Sequence, residues 1–308
     1  MIYIFCALYH EAEPLIREYG LKKKTDETCF PVFFDEEENI LLTVTGCGMN
    51  AAAAAVMRIC TKRTPQPEDF LVNIGTCAWI SCGEHGVYVP DDSGYQSKKK
   101  IYLCKKITEH VTGRTFYPDI LYRHPFTEAE IITGAVAYCV KDRMKFIKKY
   151  ETSAKNSVSD SFLYDMEASA VYQSGAYFFG PHQMSFLKIV TDDGNVQNMS
   201  AEVLRQSVEG VVAKISHYLD ELVKIGEMKR SQYEKKASEV SEFAQRLSTD
   251  MHCSAVMRAS VEQQLKYASL AGIDYQGVIS EMYQSGKLPC RDKREGKRCF
   301  EELGRKLL

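Results

Sequence analysis

The feature that most constrains the fold of this chain is the alternation of short apolar runs with helical segments over its first 225 residues. Helices are predicted over about 13–19, over the alanine-rich run 51–57, and over 201–224, where the apolar side chains fall close to one face. The apolar runs, each suited to one buried strand, are 2–8, 30–34, 40–44, 70–74, 101–107, 131–138 and 185–190. This alternation predicts an α/β domain with a central, largely parallel or mixed sheet.

The composition changes after Gly226, and a domain boundary is predicted there. In 228–308 the β-branched runs disappear, and Lys and Arg outnumber Asp and Glu by 15 to 11. Three helices are predicted in this segment: 230–248, 254–271 and 274–285. The chain is therefore expected to contain one domain at 1–226 and a smaller helical, basic domain of unknown role at 227–308, which could attach the protein to a partner.

Composition and charge exclude several classes of protein. The 308 residues are 45% hydrophobic and 26% charged, and the net charge of −2 gives no reason to expect a nucleic acid or a membrane as partner. The apolar stretch 1–8 lacks a basic flank and is shorter than the roughly 20 residues of a membrane span, so a buried first strand is expected. Eleven cysteines without paired spacing suit a reducing compartment, and we expect cytoplasmic localisation. Neither CxxC nor HxxxH spacing occurs, so no metal is expected.

Small or polar residues stand where three of the apolar runs end. Glu11 follows the first run, Gly75-Thr76 follows the fourth, and Asp192 follows the last. In open α/β sheets the carboxyl ends of the strands line the ligand crevice, so these residues are expected to converge. A solvated acid or an ordinary turn is the alternative for each position by itself. The glycine turn 45–50, which leads into the alanine-rich helix, could hold an anion with its backbone N–H groups.

The stretch Asp165–Tyr172 is typical of a helix start. Asp165 is a good N-cap residue, and Glu167 would fall in the first turn. An acid in that turn favours the helix dipole in any protein, so the stretch by itself fits a structural role as well as a functional one. Its occurrence together with Glu11, Thr76 and Asp192 favours a functional role.

Several motifs, taken in chain order, resemble one family. They are Ala7–Glu13, Thr45–Ala52, Asn73–Thr76, Asp165–Ala170 and Lys188–Asp192. They are similar to the opening acid cluster, the glycine turn with its alanine helix, the Asn-Thr-Gly-Ser segment, the Glu-Met-Glu-Ala helix start and the Arg-Ala-Ile-Ser-Asp strand end of the nucleoside phosphorylase superfamily. The closest branch is that of the methylthioadenosine/S-adenosylhomocysteine nucleosidases. The resemblance covers about residues 1–225 and implies a three-layer αβα fold with a central mixed sheet, to which this chain adds a small C-terminal helical extension.

The resemblance also implies roles for individual residues. Asp192 would be the general acid that protonates the purine at N7, and Glu11 would orient or deprotonate the attacking water. Glu167, with the backbone of Met166, would hold the ribose hydroxyls, and the Gly75-Thr76 segment would help to position the water. No metal or redox cofactor is required by this chemistry.

Three further substrate contacts are implied by the same resemblance. Tyr138 would stack on the base, although the chain has Thr133–Tyr138 where the family has Ser-Gly-Asp-x-Phe. Lys188 stands in place of a family arginine and keeps its charge without the planar fork. Phe116 lies in an aromatic loop, 112–119, that would reach the neighbouring site of a homodimer.

The expected reaction is hydrolysis of the N-glycosidic bond of a 5′-modified adenine nucleoside, which releases adenine. Methylthioadenosine, S-adenosylhomocysteine and 5′-deoxyadenosine are the candidate substrates. A phosphorylase of the superfamily usually has an arginine where Asn73 stands, and an acid such as Glu11 would repel phosphate. A phosphate-dependent purine nucleoside phosphorylase and a non-catalytic nucleoside-binding protein remain the alternatives. Asp193 duplicates Asp192, so a shift of one residue in the alignment would exchange their roles.

Overall fold

The computed structural model describes residues 1–25, 29–81, 101–137, 161–192, 194 and 200–307. The chain divides into two compact units, Met1–Gly226 and Glu227–Leu308. None of the helices in the described ranges combines the length and the apolar character that crossing a bilayer requires.

Strands and helices alternate in the N-terminal unit. The strands are β1 (Ile2–Cys6), β2 (Lys22–Lys23), β3 (Val32–Phe34), β4 (Ile40–Val44), β5 (Phe70–Ser81), β6 (Ile101–Glu109), β7 (Thr115–Phe116), β8 (Thr127–Thr133), β9 (Ser161–Asp165) and β10 (Met184–Asp192). The helices are α1 (Tyr9–Glu18), α2 (Met49–Lys62), α3 (Ala168–Gly175) and α4 (Ala201–Glu209), with a 3₁₀ turn at Pro181–Gln183. They are followed by α5 (Val212–Asp250), α6 (Ala255–Leu270), α7 (Tyr275–Gln284) and α8 (Lys293–Leu307).

The sheet is mixed, and part of it closes on itself. Strand β10 pairs in parallel with β5 and antiparallel with β6. Strand β6 pairs with β8, β8 with β9, and β9 with β5, so these five strands form a closed ring. Strands β1, β4, β3 and β2 extend from β5 in that order. The prediction of an α/β unit with a central mixed sheet is confirmed, whereas the ring was not predicted and the three-layer arrangement stays a prediction.

Strand β1 shows why a continuous apolar run folds as a central strand. It pairs in parallel with β4 on one side and β5 on the other, and all five of its residues are buried. Alternate side chains enter different cores, because successive residues of a strand face opposite sides. Ile4 belongs to the core that contains Leu15 of α1. Phe5 belongs to the core that contains Val56 of α2, so helices pack on both faces of β1.

Several predicted elements differ from the observed ones. The helix predicted over 201–224 is interrupted, because α4 ends at Glu209 and α5 begins at Val212; Gly210, a weak helix former, stands at the break. The strand predicted over 70–74 continues to Ser81, because β10 and β9 pair with it beyond the last residue that pairs with β1. The strand predicted over 131–138 ends at Thr133.

The C-terminal unit is helical, as its composition suggests, and has its own core. Two of the three predicted helices are observed as α6 and α7, the predicted helix 230–248 is the C-terminal part of α5, and α8 was not predicted. Helix α8 turns a stripe of Gly296, Cys299, Leu303 and Leu307 inwards at intervals of three and four residues. The core is formed by apolar side chains of α5 to α8, among them Leu247, Leu265, Ile279 and Leu303.

Candidate active site

A cavity of about 220 Å³, which we call the site cavity, collects most of the residues that were predicted to form a site. Glu11, Glu167 and Asp192 all line it, although they come from three separate elements. The complete lining is Ala7, Leu8, Glu11, Cys47, Thr76, Cys77, Ala78, Ala137, Tyr164, Asp165, Met166, Glu167, Thr191, Asp192 and Gly194. The described residues therefore bring Glu11, Thr76, Met166, Glu167 and Asp192 together at one place.

Glu11 is held rigidly in the first turn of α1. Its side chain is buried, and Oε1 accepts hydrogen bonds from the backbone N–H and the hydroxyl of Thr76, at 2.7 and 2.6 Å. Oε2 accepts a 3.0 Å bond from the backbone N–H of Leu8, the N-cap residue. This last bond is half of a capping box, in which the third helical residue reaches back to the N-cap N–H. Helix capping and the contact with β5 thus fix the carboxylate in one orientation.

Glu167 is held by the glycine turn. Gly46 and Gly48 have φ values of +85° and +90°, a region that glycine adopts without the penalty paid by other residues. The backbone N–H of Gly48 donates a 2.7 Å bond to Oε1 of Glu167. The anion that this turn was predicted to bind is thus a carboxylate of the chain itself.

The pKa of Glu167 is raised to about 7. Burial is the largest cause, because it disfavours the charged carboxylate, and the negative charge of Asp165 acts in the same direction. The Lys188 ammonium and the Gly48 N–H favour the anion but do not outweigh these effects. Glu167 can therefore gain or lose a proton near neutral pH, whereas an exposed glutamate titrates near pH 4.5.

Asp165 has a larger role than the helix cap predicted for it. It is the last residue of β9, and Glu167 rather than Asp165 stands at the N-cap position of α3. Oδ2 of Asp165 still accepts a 2.8 Å bond from the backbone N–H of Ala168, and it also lies 2.8 Å from Nζ of Lys188. The side chain of Lys188 is completely buried and does not line the site cavity, so the structure gives it a contact with Asp165 in place of the predicted contact with substrate.

Asp192 is the last residue of β10 and lines the site cavity. The pairing of β10 with β5 shifts register between Val190 and Asp192, next to the site. Oδ1 of Asp192 accepts a 2.8 Å bond from the backbone N–H of Gly194, and Oδ2 accepts a 3.0 Å bond from the hydroxyl of Thr191. Its side chain is half-buried, so it borders the cavity from a partly open position. Asp193 lies outside the described residues.

The remaining predicted site residues do not line the cavity. Gly75 stands behind Glu11, where an added Cβ would lie 3.6 Å from Oε1 of Glu11 and 3.6 Å from Nζ of Lys188. Phe116 is in β7, with its ring 5.1 Å from that of Tyr172. It lines a separate groove with Met57, Tyr172 and Tyr177, which we call the aromatic groove. Tyr138 lies outside the described residues.

Cys47 and Tyr164 are among the lining residues that were not predicted from the sequence. Cys47 is exposed at the middle of the glycine turn, and its position between the two glycines was the available signal. Tyr164 is buried on β9, and its hydroxyl donates a 2.9 Å bond to the carbonyl of Val136. A Cβ at Gly134 would lie 1.6 Å from the Tyr164 hydroxyl, so Gly134 leaves the space that this ring occupies. No single-residue signal marks Tyr164 in the sequence.

The described residues offer no metal centre, since no group of three or more His, Cys, Asp or Glu side chains among them is arranged to hold an ion. The chemistry available at the site cavity is that of carboxylates, hydroxyls, thiols and backbone N–H groups.

Solved structures place this architecture among known folds. No family model and no curated protein matches the sequence. The 5′-methylthioadenosine/S-adenosylhomocysteine nucleosidase of Neisseria meningitidis, in complex with methylthio-immucillin-A, matches with a TM-score of 0.52 at 16% identity, over 70% of this chain and 97% of that chain. The 5′-methylthioadenosine nucleosidase of Arabidopsis thaliana matches with a TM-score of 0.52 at 17% identity, over 73% and 95%. The chain has the nucleosidase fold.

A third neighbour widens the range of substrates within this fold. The futalosine hydrolase of Helicobacter pylori matches with a TM-score of 0.52 at 12% identity, over 71% of this chain and 98% of that chain. The resemblance to nucleosidases that the motifs predict is therefore confirmed at the level of the fold. One fold hosts several activities, so the activity of this chain depends on the residues that line its own site cavity.

Proposed function

We propose that this protein hydrolyses the N-glycosidic bond of a 5′-modified adenine nucleoside and releases adenine. The observation that carries the proposal is that Glu11, Glu167 and Asp192 line one cavity of a nucleosidase fold. Cleavage of an N-glycosidic bond builds positive charge on the ribose and negative charge on the leaving base. A site with carboxylates near the sugar and a proton donor near the base stabilises both ends of that transition state.

Asp192 is proposed to act on the base. In its protonated form it would donate a proton to N7 of adenine as the glycosidic bond breaks, so that the base leaves as a neutral molecule. Its half-buried position at the border of the cavity leaves the carboxyl accessible to a ligand, while the bonds from Thr191 and Gly194 restrict its orientation.

Glu167 and Glu11 are proposed to act on the sugar and on water. Glu167 uses one backbone N–H bond, to Gly48, which leaves acceptor capacity for ribose hydroxyls. Met166 lines the cavity beside it. Glu11 is oriented by Thr76 and Leu8, and it would accept a proton from the water that attacks the anomeric carbon. The water thus gives its proton to Glu11 and its hydroxide to the anomeric carbon. Adenine leaves with the proton from Asp192.

Water is a better nucleophile than phosphate for this cavity. Phosphate sites usually present arginine, lysine or several free backbone N–H groups. No arginine or lysine occurs among the described residues that line the cavity. Lys188, which lies just behind, is already paired with Asp165. The carboxylates of the lining would also repel a phosphate dianion.

Adenine release tests the proposal directly. Purified protein is incubated with methylthioadenosine, S-adenosylhomocysteine, 5′-deoxyadenosine and futalosine in phosphate-free buffer, and products are separated by liquid chromatography. We expect free adenine from at least one of the first three, at a rate that added phosphate leaves unchanged. Release that depends on phosphate would establish a phosphorylase instead. Nucleoside binding by calorimetry without any release would establish a non-catalytic protein.

A further inference from the structure

The buried pair of Asp165 and Lys188 is not used by the chemistry proposed above, yet Asp165 lines the site cavity and Lys188 lies directly behind it. Both side chains are shielded from solvent, and the separation of Nζ from Oδ2 is 2.8 Å. Burying two charges is costly, and a pair of this kind often adds little stability compared with an apolar pair of the same volume. Stability alone therefore does not account for this pair.

Asp165 anchors the turn that carries Glu167. Oδ2 accepts a bond from the backbone N–H of Ala168, and Oδ1 accepts a 2.7 Å bond from the hydroxyl of Thr133. The same hydroxyl accepts a 3.0 Å bond from the backbone N–H of Ser169. Asp165 thus ties the end of β9, the end of β8 and the start of α3 together. Glu167 is the residue immediately before this anchored helix start.

The charges around Glu167 come from several elements. Asp165 of β9 and Glu11 of α1 contribute negative charge, and Lys188 of β10 contributes positive charge. The Gly48 N–H, before α2, donates to Glu167 directly, and the Cys47 thiol lies within electrostatic reach. Asp165 and Lys188 act on the pKa of Glu167 with opposite sign, and the effect of Asp165 is the larger of the two.

We propose that Asp165 and Lys188 form a positioning pair that holds the turn bearing Glu167 and sets the charge state in which Glu167 meets the ribose hydroxyls. The proposal rests on the proposed function for the identity of the ligand. It assigns Lys188 no contact with substrate. Asp165 anchors the turn, but its negative charge raises the pKa of Glu167. The positive charge of Lys188 offsets this effect, so that Glu167 is not protonated by its own anchor.

Two single variants separate this role from simple structural support, because they are expected to move Glu167 in opposite directions. Lys188→Met leaves the negative charge of Asp165 uncompensated, so the pKa of Glu167 should rise by about 1 unit. Asp165→Asn keeps one of the two acceptor oxygens of the anchor and leaves Lys188 unopposed, so the pKa of Glu167 should fall by about 1 unit. The double variant Asp165→Asn/Lys188→Met should return it to near the original value.

The titration of Glu167 is followed by ¹³C NMR of the full chain labelled at glutamate side-chain carboxyls, with the signal assigned by its loss in Glu167→Gln. The matched control is Lys106→Met, which removes a half-buried lysine paired with Glu130 on neighbouring strands. It should leave the Glu167 titration unchanged. Shifts of the same sign in both single variants, or no shift in either, would overturn the proposal. If Lys188→Met fails to fold, Asp165→Asn and the double variant still decide the sign.

A kinetic readout links the pair to substrate. If Glu167 must be ionised to hold ribose, a rise of its pKa from about 7 to about 8 lowers the ionised fraction at pH 7 about fivefold. The KM of Lys188→Met for methylthioadenosine should therefore rise about fivefold at pH 7 and return to the wild-type value near pH 9, with kcat little changed. A fivefold change that persists at pH 9 would contradict the proposal. If no nucleoside is hydrolysed at all, the proposed function fails, and the NMR titration still tests the pair.

Discussion

Three carboxylates that line one cavity differ in what surrounds them, and these differences separate their proposed roles. Glu11 accepts three hydrogen bonds from two residues and is fixed in orientation. Glu167 accepts one backbone bond, and burial raises its pKa to about 7. Asp192 is half-buried at the end of β10. These surroundings fit the proposed roles of Glu11 towards water, Glu167 towards the ribose hydroxyls and Asp192 towards the base.

The proposed general acid can be tested at one residue. Asp192→Asn keeps the size of the side chain and an acceptor oxygen but cannot donate the proton, so adenine release should fall by about 10²–10⁴-fold. The rate is measured by chromatography, and retention of the fold is checked by circular dichroism. Asp193→Asn is the matched control and should keep most of the activity. If Asp193→Asn abolishes release and Asp192→Asn does not, the alignment of this segment is shifted by one residue.

Glu167 should make the stability of the N-terminal unit depend on pH. The folded protein holds the Glu167 proton more tightly than the unfolded chain, because the pKa is about 7 against 4.5. The carboxyl is therefore tolerated below about pH 4.5 and increasingly destabilises the fold as pH rises through 7. Relative to wild type, Glu167→Gln should gain unfolding free energy on the order of 2 kcal/mol between pH 5 and pH 8.

This gain can be measured by urea unfolding followed through the fluorescence of Trp79, the single tryptophan of the chain, which lies on β5. Glu202→Gln is the surface control. Glu202 is exposed, and its hydrogen bonds with Arg205 and Gln206 lower its pKa, so its removal should bring no gain at high pH. An equal gain in both variants would show that burial of Glu167 is not the cause.

At the scale of secondary structure, the order of elements could be predicted from the sequence, whereas the closure of the sheet could not. Apolar runs bounded by turns identify strands such as β1 and β4, because each run is buried in the chain's own core. The length of β5 depends on β9 and β10, partners that lie about 85 to 115 residues further along the chain. Pairing over such a distance leaves no signal within a short window of sequence.

The same division applies to the candidate site. Glu11, Thr76, Glu167 and Asp192 could be found because motifs in a shared order single them out. The anchoring contacts of Asp165 and the burial of Lys188 could not, since they arise only when the closed ring brings residues of β8, β9 and β10 together. Tyr164 likewise enters the cavity because Gly134 of a neighbouring segment leaves room for its ring.

Helix α8 contains two glycines that should respond oppositely to the same substitution. Glycine inside a helix normally costs about 0.5–1 kcal/mol relative to alanine. At Gly304 an added Cβ meets only the flexible side chain of Gln264, at 3.4 Å, so Gly304→Ala should stabilise the C-terminal unit. At Gly296 the Cβ would lie 1.7 Å from the backbone carbonyl oxygen of Met251, so Gly296→Ala should destabilise the unit by about 1–3 kcal/mol.

Hydrogen exchange of the full chain, read by mass spectrometry on peptides from α6 to α8, measures both effects. Gly296→Ala should accelerate exchange throughout these helices, and Gly304→Ala should slow it or leave it unchanged. Matching effects of the two substitutions would mean that the packing of α8 against Met251 does not limit the stability of the unit.

At the scale of the whole molecule, we expect a homodimer, as the resemblance implies. The aromatic groove of Met57, Phe116, Tyr172 and Tyr177 is the candidate surface, and Tyr177 is 80% exposed. Light scattering after size-exclusion chromatography should give about twice the 34.9 kDa of one chain. Tyr177→Asp should shift the mass towards that of one chain, because a charge in an apolar contact is costly.

The control for this surface is Tyr267→Asp, which changes an exposed tyrosine of the C-terminal unit. It should leave the mass at that of two chains. A mass of one chain for the unaltered protein would remove the homodimer expectation, together with the contribution of Phe116 to a neighbouring site.

The closed ring of strands has a consequence for solution behaviour. Each of its five strands has a hydrogen-bonded neighbour on both sides, so none offers an open edge to a second molecule. Among the described strands, the sheet ends at two short strands: β2, which consists only of Lys22 and Lys23, both exposed, and β7, which consists only of Thr115 and Phe116. A short edge carrying lysines is one of the features by which proteins discourage strand addition from another chain. The sheet is thereby protected against edge-to-edge aggregation while the ring stays closed.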